Sequence, residues 1–224
     1  MRLIEDPKHG DVIDAYLSMY PTKIQCVEEC EEFYFEPTTT VYGICISGKA
    51  AVLPADTRLP EFDLTTGSVF TMAGGFNLSG EGFKVFLISR LGYRGMLGLS
   101  HIEDRGRLAY IDGCSDTCIF PPARLGDPCL NTLHFPKRID QTQHLHPDIR
   151  VGVVVSGNGI AYRKDHWSKT LCAGSMFILD ESDIHSFKTL EEGMTVVAYH
   201  PTTDFGPTDQ NHPMLNRTYI DHGK

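Results

Sequence analysis

The fold is decided by a stretch that begins Gln143-His144-Leu145-His146 and ends Gly174-Ser175-Met176-Phe177-Ile178-Leu179-Asp180-Glu181-Ser182-Asp183-Ile184-His185. Two histidines that are two residues apart on a strand point to the same face of a sheet. A third histidine follows them after glycine-marked turns at Gly157 and Gly174. Neutral imidazole suits divalent iron, copper, nickel and zinc. The pattern therefore predicts that His144, His146 and His185 converge on a metal ion inside a β-barrel.

The remainder of the chain reads as many short β segments separated by Gly, Pro, Asn and Asp. The exception is residues 8–20, where apolar side chains recur at helical spacing until Pro21: Val12, Ile13, Tyr16, Leu17 and Tyr20. We therefore predict an all-β fold with a short N-terminal helix. Such folds close into barrels or sandwiches, which removes free strand edges.

An internal repeat divides the chain into two halves. Residues 41–48 resemble residues 150–157 of the second half, and residues 66–72 resemble residues 173–179. We predict two barrels, one in residues 1–112 with the helical cap and one in residues 113–224 with a C-terminal tail. Each is near the common size of a domain.

The repeat also predicts which half carries the chemistry. When His144, His146 and His185 are transferred onto the first half, the corresponding positions hold side chains that cannot bind a metal, namely Phe35, Pro37 and Leu78. The first half is then expected to be structural, or to form the wall of a pocket or a subunit interface.

Composition excludes several classes of function. The formal net charge of −9 argues against a nucleic-acid surface, which needs a basic patch. No apolar run has the length of a membrane span, and the N-terminus has no apolar segment behind a basic start. The seven cysteines are an odd number, and because no secretory signal is seen we expect reduced thiols and a cytoplasmic location. Cys114, Cys118 and Cys129 lack the paired spacing of a structural zinc site.

These residues resemble the cupin superfamily, and specifically a two-barrel (bicupin) chain. The first cupin motif places His-x-His between two glycines and has a Glu after the histidines. His144, His146 and Gly157 match it, while Arg138 replaces the leading Gly and Arg150 replaces the Glu. In the second motif Gly174 and His185 match at the right distance, whereas other residues replace its Pro, second Gly and Asn, namely Asp180, Ser182 and Thr189.

The resemblance implies two cupin-type barrels, each a double-stranded β-helix or jelly roll, with a mononuclear divalent metal in the second. With Arg150 in the Glu position, the site is similar to that of three-histidine cupins, which include thiol dioxygenases and some diketone-cleaving dioxygenases. Three neutral ligands leave coordination positions open for an anionic bidentate substrate and dioxygen. We expect Fe(II), with Zn, Ni or Mn as alternatives.

Two further residues are candidates for catalysis. A guanidinium stays protonated and is not a normal metal ligand, so Arg150 is expected either to clamp a substrate carboxylate or phosphate, or to turn away and pair with Asp148. Tyr162 is near the end of a predicted strand. Its hydroxyl is a candidate acid, base or oxygen-binding group, and aromatic packing is the alternative.

We therefore predict a non-haem iron (di)oxygenase that acts on a small anionic molecule. A non-redox metal-dependent isomerase or lyase and a ligand-binding sensor without catalysis are the alternatives. No nucleic-acid or membrane partner is expected. A homodimer is expected, because cupin-like barrels often dimerise by sharing strands.

Overall fold

The computed structural model describes residues 1–10, 12–14, 19–219 and 221, and nearly all of its regular elements are β-strands in two antiparallel sheets. The strands of the first sheet are β2 (Val12–Asp14), β3 (Thr22–Val27), β4 (Glu31–Phe33), β5 (Thr40–Pro54), β6 (Phe62–Thr65), β7 (Ser68–Ala73), β8 (Phe76–Arg90) and β9 (Gly98–His101). Those of the second are β1 (Arg2–Ile4), β10 (Leu108–Ala109), β11 (Ser115–Phe120), β12 (Cys129–Phe135), β13 (Arg150–Arg163), β14 (Trp167–Cys172), β15 (Met176–Leu179), β16 (Ser186–Lys188) and β17 (Met194–His200).

In the part of the chain that the structure describes, helical structure is confined to a short 3-10 turn, Ile111–Gly113, and to α1, Pro213–Asn216. Among the described residues, no helix combines the length and the apolarity that crossing a bilayer requires. The prediction of an all-β fold is therefore confirmed at the level of the sheets.

The expected N-terminal helix is not seen in the described part of residues 8–20. Val12–Asp14 is instead strand β2, which pairs with β3 so that Ile13 lies opposite Ile24. Pairing with a sheet edge satisfies the backbone hydrogen bonds, and Ile13 packs against the core that includes Ile24. In Val12–Asp14, pairing with β3 therefore prevails over the helix that the spacing of apolar residues favours. Tyr16 and Leu17, on which the helical reading also rested, lie outside the described residues.

Each sheet is drawn almost entirely from one half of the chain. The first has the order β2-β3-β8-β5-β7-β9, and the second has the order β1-β15-β13-β17-β12-β11-β10. Strand β1 crosses over to the second sheet, where Leu3 lies opposite Phe177 on β15. The two-barrel arrangement and the division after residue 112 stay predictions.

The internal repeat is visible in the packing of both sheets. Gly43 on β5 lies opposite Phe70 on β7, and Gly152 on β13 lies opposite Phe177 on β15. A Cβ atom on Gly43 would lie 1.9 Å from the Phe70 ring, and a Cβ on Gly152 would lie 2.1 Å from the Phe177 ring. Glycine is therefore required for the same reason in both halves, because each phenylalanine ring occupies the space that a Cβ atom would need.

Three apolar cores hold the molecule together. One lies between the two sheets, where Tyr42 and Tyr199 have ring centroids 5.2 Å apart. The second fills the first half with packed aromatic rings and includes Leu78, one of the positions equivalent to the histidines. The third surrounds the candidate site in the second half. Burial of each large apolar side chain stabilises the fold by about 1.5–3 kcal/mol.

Candidate metal centre

Two chain segments that run antiparallel bring the three histidines together. His144 and His146 lie in the segment between β12 and β13, and His185 lies directly before β16. The backbone N–H of His144 donates to the carbonyl of His185, and that of His185 donates to the carbonyl of His144, both at 2.9 Å. The sequence predicted a strand around the His-x-His pair, whereas the structure has one isolated β-bridge between His144 and His185. This bridge places the two segments side by side.

The candidate ligand nitrogens of the three imidazoles all lie within 4.8 Å of one another. The ring centroids of His144 and His185 are 4.4 Å apart, and each is 5.2 Å from the centroid of His146. In the described part of the chain, this group of potential metal ligands contains no carboxylate and no thiolate. The predicted convergence of the three histidines is therefore observed.

Backbone carbonyls fix the tautomers of two of these rings. Nδ1 of His144 lies 2.9 Å from the carbonyl of Thr142, and Nδ1 of His185 lies 2.8 Å from the carbonyl of Asp183. Since a carbonyl only accepts, each Nδ1 must carry the hydrogen, and each Nε2 keeps its lone pair. Nε2 of His185 is buried and has no hydrogen-bond partner among the described residues. This orphaned acceptor fits a site in which a metal ion supplies the missing partner.

Burial favours the uncharged form of His146 and His185. Burial, reinforced by the charge of Arg150, lowers the pKa of His146 to about 3. Burial also lowers the pKa of His185 to about 4, although the bond to Asp183 acts in the opposite direction. Metal binding requires the neutral form of the ring, so the fold presents ligands in the competent state at neutral pH.

The cluster faces a cavity of about 410 Å³. Three phenylalanines, Phe135, Phe177 and Phe187, give it apolar walls, and the Phe187 ring lies 5.4 Å from the ring of His185. The cavity has room over this sheet because three neighbouring strands carry small or short side chains there. Ala198 on β17 lies opposite Gly152 on β13 and opposite Asn131 on β12. Apolar walls with a few polar groups are typical of a small-molecule site.

Arg150 lies at the start of β13 and lines this cavity. Its Nη1 donates to the backbone carbonyls of Asp148, at 3.2 Å, and Ile149, at 2.9 Å. Its Nε is buried without a hydrogen-bond partner, and it forms no ion pair with a described carboxylate. Burial lowers the pKa of Arg150, but a guanidinium stays protonated in proteins. The alternative in which Arg150 pairs with the Asp148 carboxylate is therefore not observed.

Tyr162 is not brought to the histidines. It lies near the far end of β13, where its hydroxyl donates to the carboxylate of Asp140 and the Lys188 ammonium lies 5.1 Å above its ring. It borders a surface groove with His166 and Trp167 and does not line the metal cavity. The prediction that it is catalytic is not supported by this position. The physical reason is a register shift between Val154 and Ser156, which changes the face that later residues present.

The structure adds cavity residues that the motifs did not reveal. Asp116 on β11, Asn131 on β12 and His200 on β17 all line it. His200 keeps some exposure to the cavity, yet burial lowers its pKa well below the ordinary value, with a further contribution from Arg150. The signal available in the sequence was strand alternation, since Asn131, Leu133 and Phe135 share one face of β12. Alternation alone does not tell which face borders a cavity.

No family model and no curated protein matches the sequence, but many solved structures have a similar fold. A cupin 2 conserved barrel domain protein from Leptotrichia buccalis has a TM-score of 0.62 at 13% identity, covering 88% of this chain and 95% of that chain. The protein Ylba from E. coli has a TM-score of 0.63 at 14% identity, with 88% and 87% covered. A Bacillus subtilis oxalate decarboxylase, described with Mn(II) centres, has a TM-score of 0.55 at 10% identity, with 92% and 76% covered.

This chain therefore shares its fold with these proteins, one of which is a cupin 2 conserved barrel domain protein. At these levels of identity the similarity concerns the fold and does not extend to activity.

Proposed function

We propose that this chain is a metal-dependent cupin in which His144, His146 and His185 hold one divalent ion beside a cavity for a small anionic molecule. The observation that carries the proposal is the convergence of three imidazoles, together with the buried Nε2 of His185, which has no hydrogen-bond partner among the described residues. The cupin-type neighbours support it, because they include an oxalate decarboxylase with Mn(II) centres.

The reaction we propose is that of a mononuclear non-haem iron (di)oxygenase. Three neutral ligands leave the bound ion without an anionic protein ligand, which favours an anionic, chelating substrate. His144, His146 and His185 would hold the ion, and iron bound there would supply the electrons for reduction of dioxygen. Phe135, Phe177 and Phe187 give the cavity apolar walls beside the histidines, and electrostatic interactions are stronger where such walls lower the local dielectric constant.

Arg150 is the residue we assign to substrate binding. Its charge lies in the cavity wall without a carboxylate partner among the described residues, and an unpaired buried charge is costly. A carboxylate or phosphate of the substrate would supply the missing partner through charge-assisted hydrogen bonds. Binding energy of this kind orients the substrate towards the histidines.

Oxygen uptake tests the proposed reaction. Protein reconstituted with ferrous iron is mixed with a panel of small carboxylic acids and thiols, and oxygen consumption is followed with an electrode. We expect uptake that requires both iron and one class of acid. For that acid, Arg150→Ala should raise the KM by about 10-fold or more, the effect of losing a charge-assisted contact, while iron content stays unchanged. An unchanged KM would contradict the assignment of Arg150 to substrate binding. Absence of oxygen uptake across the panel would count against an oxygenase.

A non-redox isomerase or lyase is the second candidate, and the Mn(II) centres of the oxalate decarboxylase neighbour favour weighing it. Zinc, nickel or manganese would then support turnover, and oxygen would be irrelevant to the rate. Tight binding of a ligand without turnover would instead identify a sensor. The two-barrel architecture, a homodimer and a cytoplasmic location belong to the same proposal.

A further inference from the structure

A second charged group faces the metal cavity from the opposite part of the sheet. Asp116 lies on β11, and two strands, β17 and β12, separate β11 from β13, the strand that begins at Arg150. It lines the cavity but does not belong to the cluster of potential metal ligands. Its role is therefore not explained by metal binding.

The Asp116 carboxylate is held in place by hydrogen bonds whose donors are uncharged. Nδ2 of Asn131 donates to its two oxygens, at 2.9 Å and 3.2 Å, and the thiol of Cys129 donates to Oδ1 of Asn131 at 3.3 Å. A carboxylate has about four acceptor positions, so a single amide leaves most of them free. Burial raises the pKa of Asp116, and the Asn131 amide offsets part of that rise.

Asp116 has no cationic partner among the residues that the structure describes. None of the ion pairs between described residues includes it, and none joins it to Arg150. The two charges nevertheless belong to one cavity, since the charges of both act on Cys129 and Tyr110. An anion-binding group and a cation-binding group thus line the same space, and neither forms an ion pair with a described residue. Partly buried charges in this state are costly unless a ligand pairs with them.

We propose that the ligand of this cavity carries both a carboxylate and an amino group, with the carboxylate on Arg150 and the amino group on Asp116. Asn131 is the positioning residue that orients the Asp116 carboxylate. The apolar walls between the two charges accept the hydrocarbon part of the ligand. The inference rests on the proposed function, because it specifies the chemical class of the small molecule that binds beside the histidines.

Three linear acids of matched length test the inference. δ-Aminovalerate has a carboxylate and an ammonium, valerate lacks the ammonium, and glutarate replaces it with a second carboxylate. Binding is measured by calorimetry on zinc-loaded protein, in which no redox turnover occurs. We expect wild-type protein to bind δ-aminovalerate at least about tenfold more tightly than either other acid, which corresponds to about 1.4 kcal/mol.

Asp116→Asn removes the charge and keeps the shape of the side chain. It should reduce the preference for δ-aminovalerate to about twofold or less. Asp204→Asn is the matched control, because it removes an exposed carboxylate at the same cavity, and it should keep the preference. Circular dichroism checks folding, and Asp116→Ser serves as a second variant with the same expected loss if Asp116→Asn does not fold.

Equal binding of the three acids by wild-type protein, absence of binding by all three, or a preference that survives both Asp116 variants would overturn the inference. Zinc content, measured on the same samples, separates this failure from that of the proposed function. Zinc that is bound by wild-type protein and lost in His185→Ala, without a preference for δ-aminovalerate, contradicts the inference alone. Absence of zinc binding contradicts the proposed function itself.

Discussion

At the residue scale, burial determines the charge state of the site. His146, His185 and His200 all have lowered pKa values, and the loss of contact with water is the largest cause for each. The neutral ring is favoured in the folded state, whereas an unfolded histidine has a pKa of about 6.5. Protons therefore bind more readily to the unfolded chain below that pH.

We expect the metal-free protein to keep its full histidine-linked stability above about pH 6.5 and to lose it progressively as the pH falls below that value. Each histidine whose pKa is strongly lowered should reduce the free energy of unfolding by about 1.4 kcal/mol for each pH unit below about pH 6.5. Urea unfolding in the presence of a chelator, at about pH 7.5 and at about pH 5.5, measures the loss.

His200→Phe removes one titrating ring and keeps a similar shape. Between about pH 7.5 and about pH 5.5, both proteins should lose unfolding free energy, and the loss for this variant should be about 1 kcal/mol smaller than for wild-type protein. An identical pH dependence of the two proteins would show that His200 takes up its proton equally well in the folded state.

Sequence reasoning at this scale succeeded for residues fixed by spacing and failed where the strand path intervened. The three histidines were predicted because their spacing sets their face and their distance along the chain. Tyr162 was considered because it lies near the end of a predicted strand, but the register shift between Val154 and Ser156 gives it a different face from that of Arg150. Asp116 belongs to no motif, so only the assembled sheet reveals that it faces the cavity.

At the element scale, the pairing of Gly152 on β13 with Phe177 on β15 shapes the cavity. The Phe177 ring covers Gly152 and lines the cavity at the same time. A Cβ atom at position 152 would lie 2.1 Å from that ring, so the ring would have to move. The equivalent pair in the first half, Gly43 and Phe70, has the same geometry in a filled core.

Gly152→Ala and Gly43→Ala form a matched pair for this account. Each should lose about 1–3 kcal/mol of unfolding free energy, the usual effect of overpacking. Only Gly152→Ala should also weaken the affinity of the zinc-loaded protein for δ-aminovalerate, because Phe177 alone of the two rings borders the cavity. Calorimetry and urea unfolding of both variants provide the measurement. Equal weakening of ligand binding by both substitutions would contradict the assignment of Phe177 to the cavity wall.

The elements were predictable where local pattern and tertiary contacts agree. Gly48 and Gly157 were expected to mark turns between strands, but each lies inside one continuous strand, β5 or β13, where it adopts a positive φ angle of 75° or 70°. The segment Val12–Asp14 is a strand because it pairs with β3, a contact that helical spacing does not encode. Strand β1 joins the second sheet for a similar non-local reason.

At the scale of the whole molecule, the two halves share one design but differ in what fills them. The first half places Leu78 in an aromatic core at a position equivalent to His185. The second half keeps a cavity and the three histidines. The repeat predicted this difference from sequence, because the substituted residues cannot bind a metal. It did not predict the shared core between the sheets, which depends on how Tyr42 and Tyr199 meet.

A metal held between two chain segments should stabilise the entire molecule. A ligand that binds the folded state alone adds about 2.7 kcal/mol at a free concentration of 100 times its Kd. We therefore expect added zinc to raise the Tm of the metal-free protein, and His185→Ala to abolish that rise. An equal rise in Tm for the variant would place zinc binding elsewhere.

The most direct test of the central claim is metal content, measured by elemental mass spectrometry on protein purified anaerobically without a histidine tag. Our account predicts near-stoichiometric divalent metal in wild-type protein, its loss in His144→Ala, His146→Ala and His185→Ala, and its retention in the control His166→Ala, which changes an exposed histidine. Absence of metal from wild-type protein even after reconstitution, or full retention in all three site variants, would contradict the account.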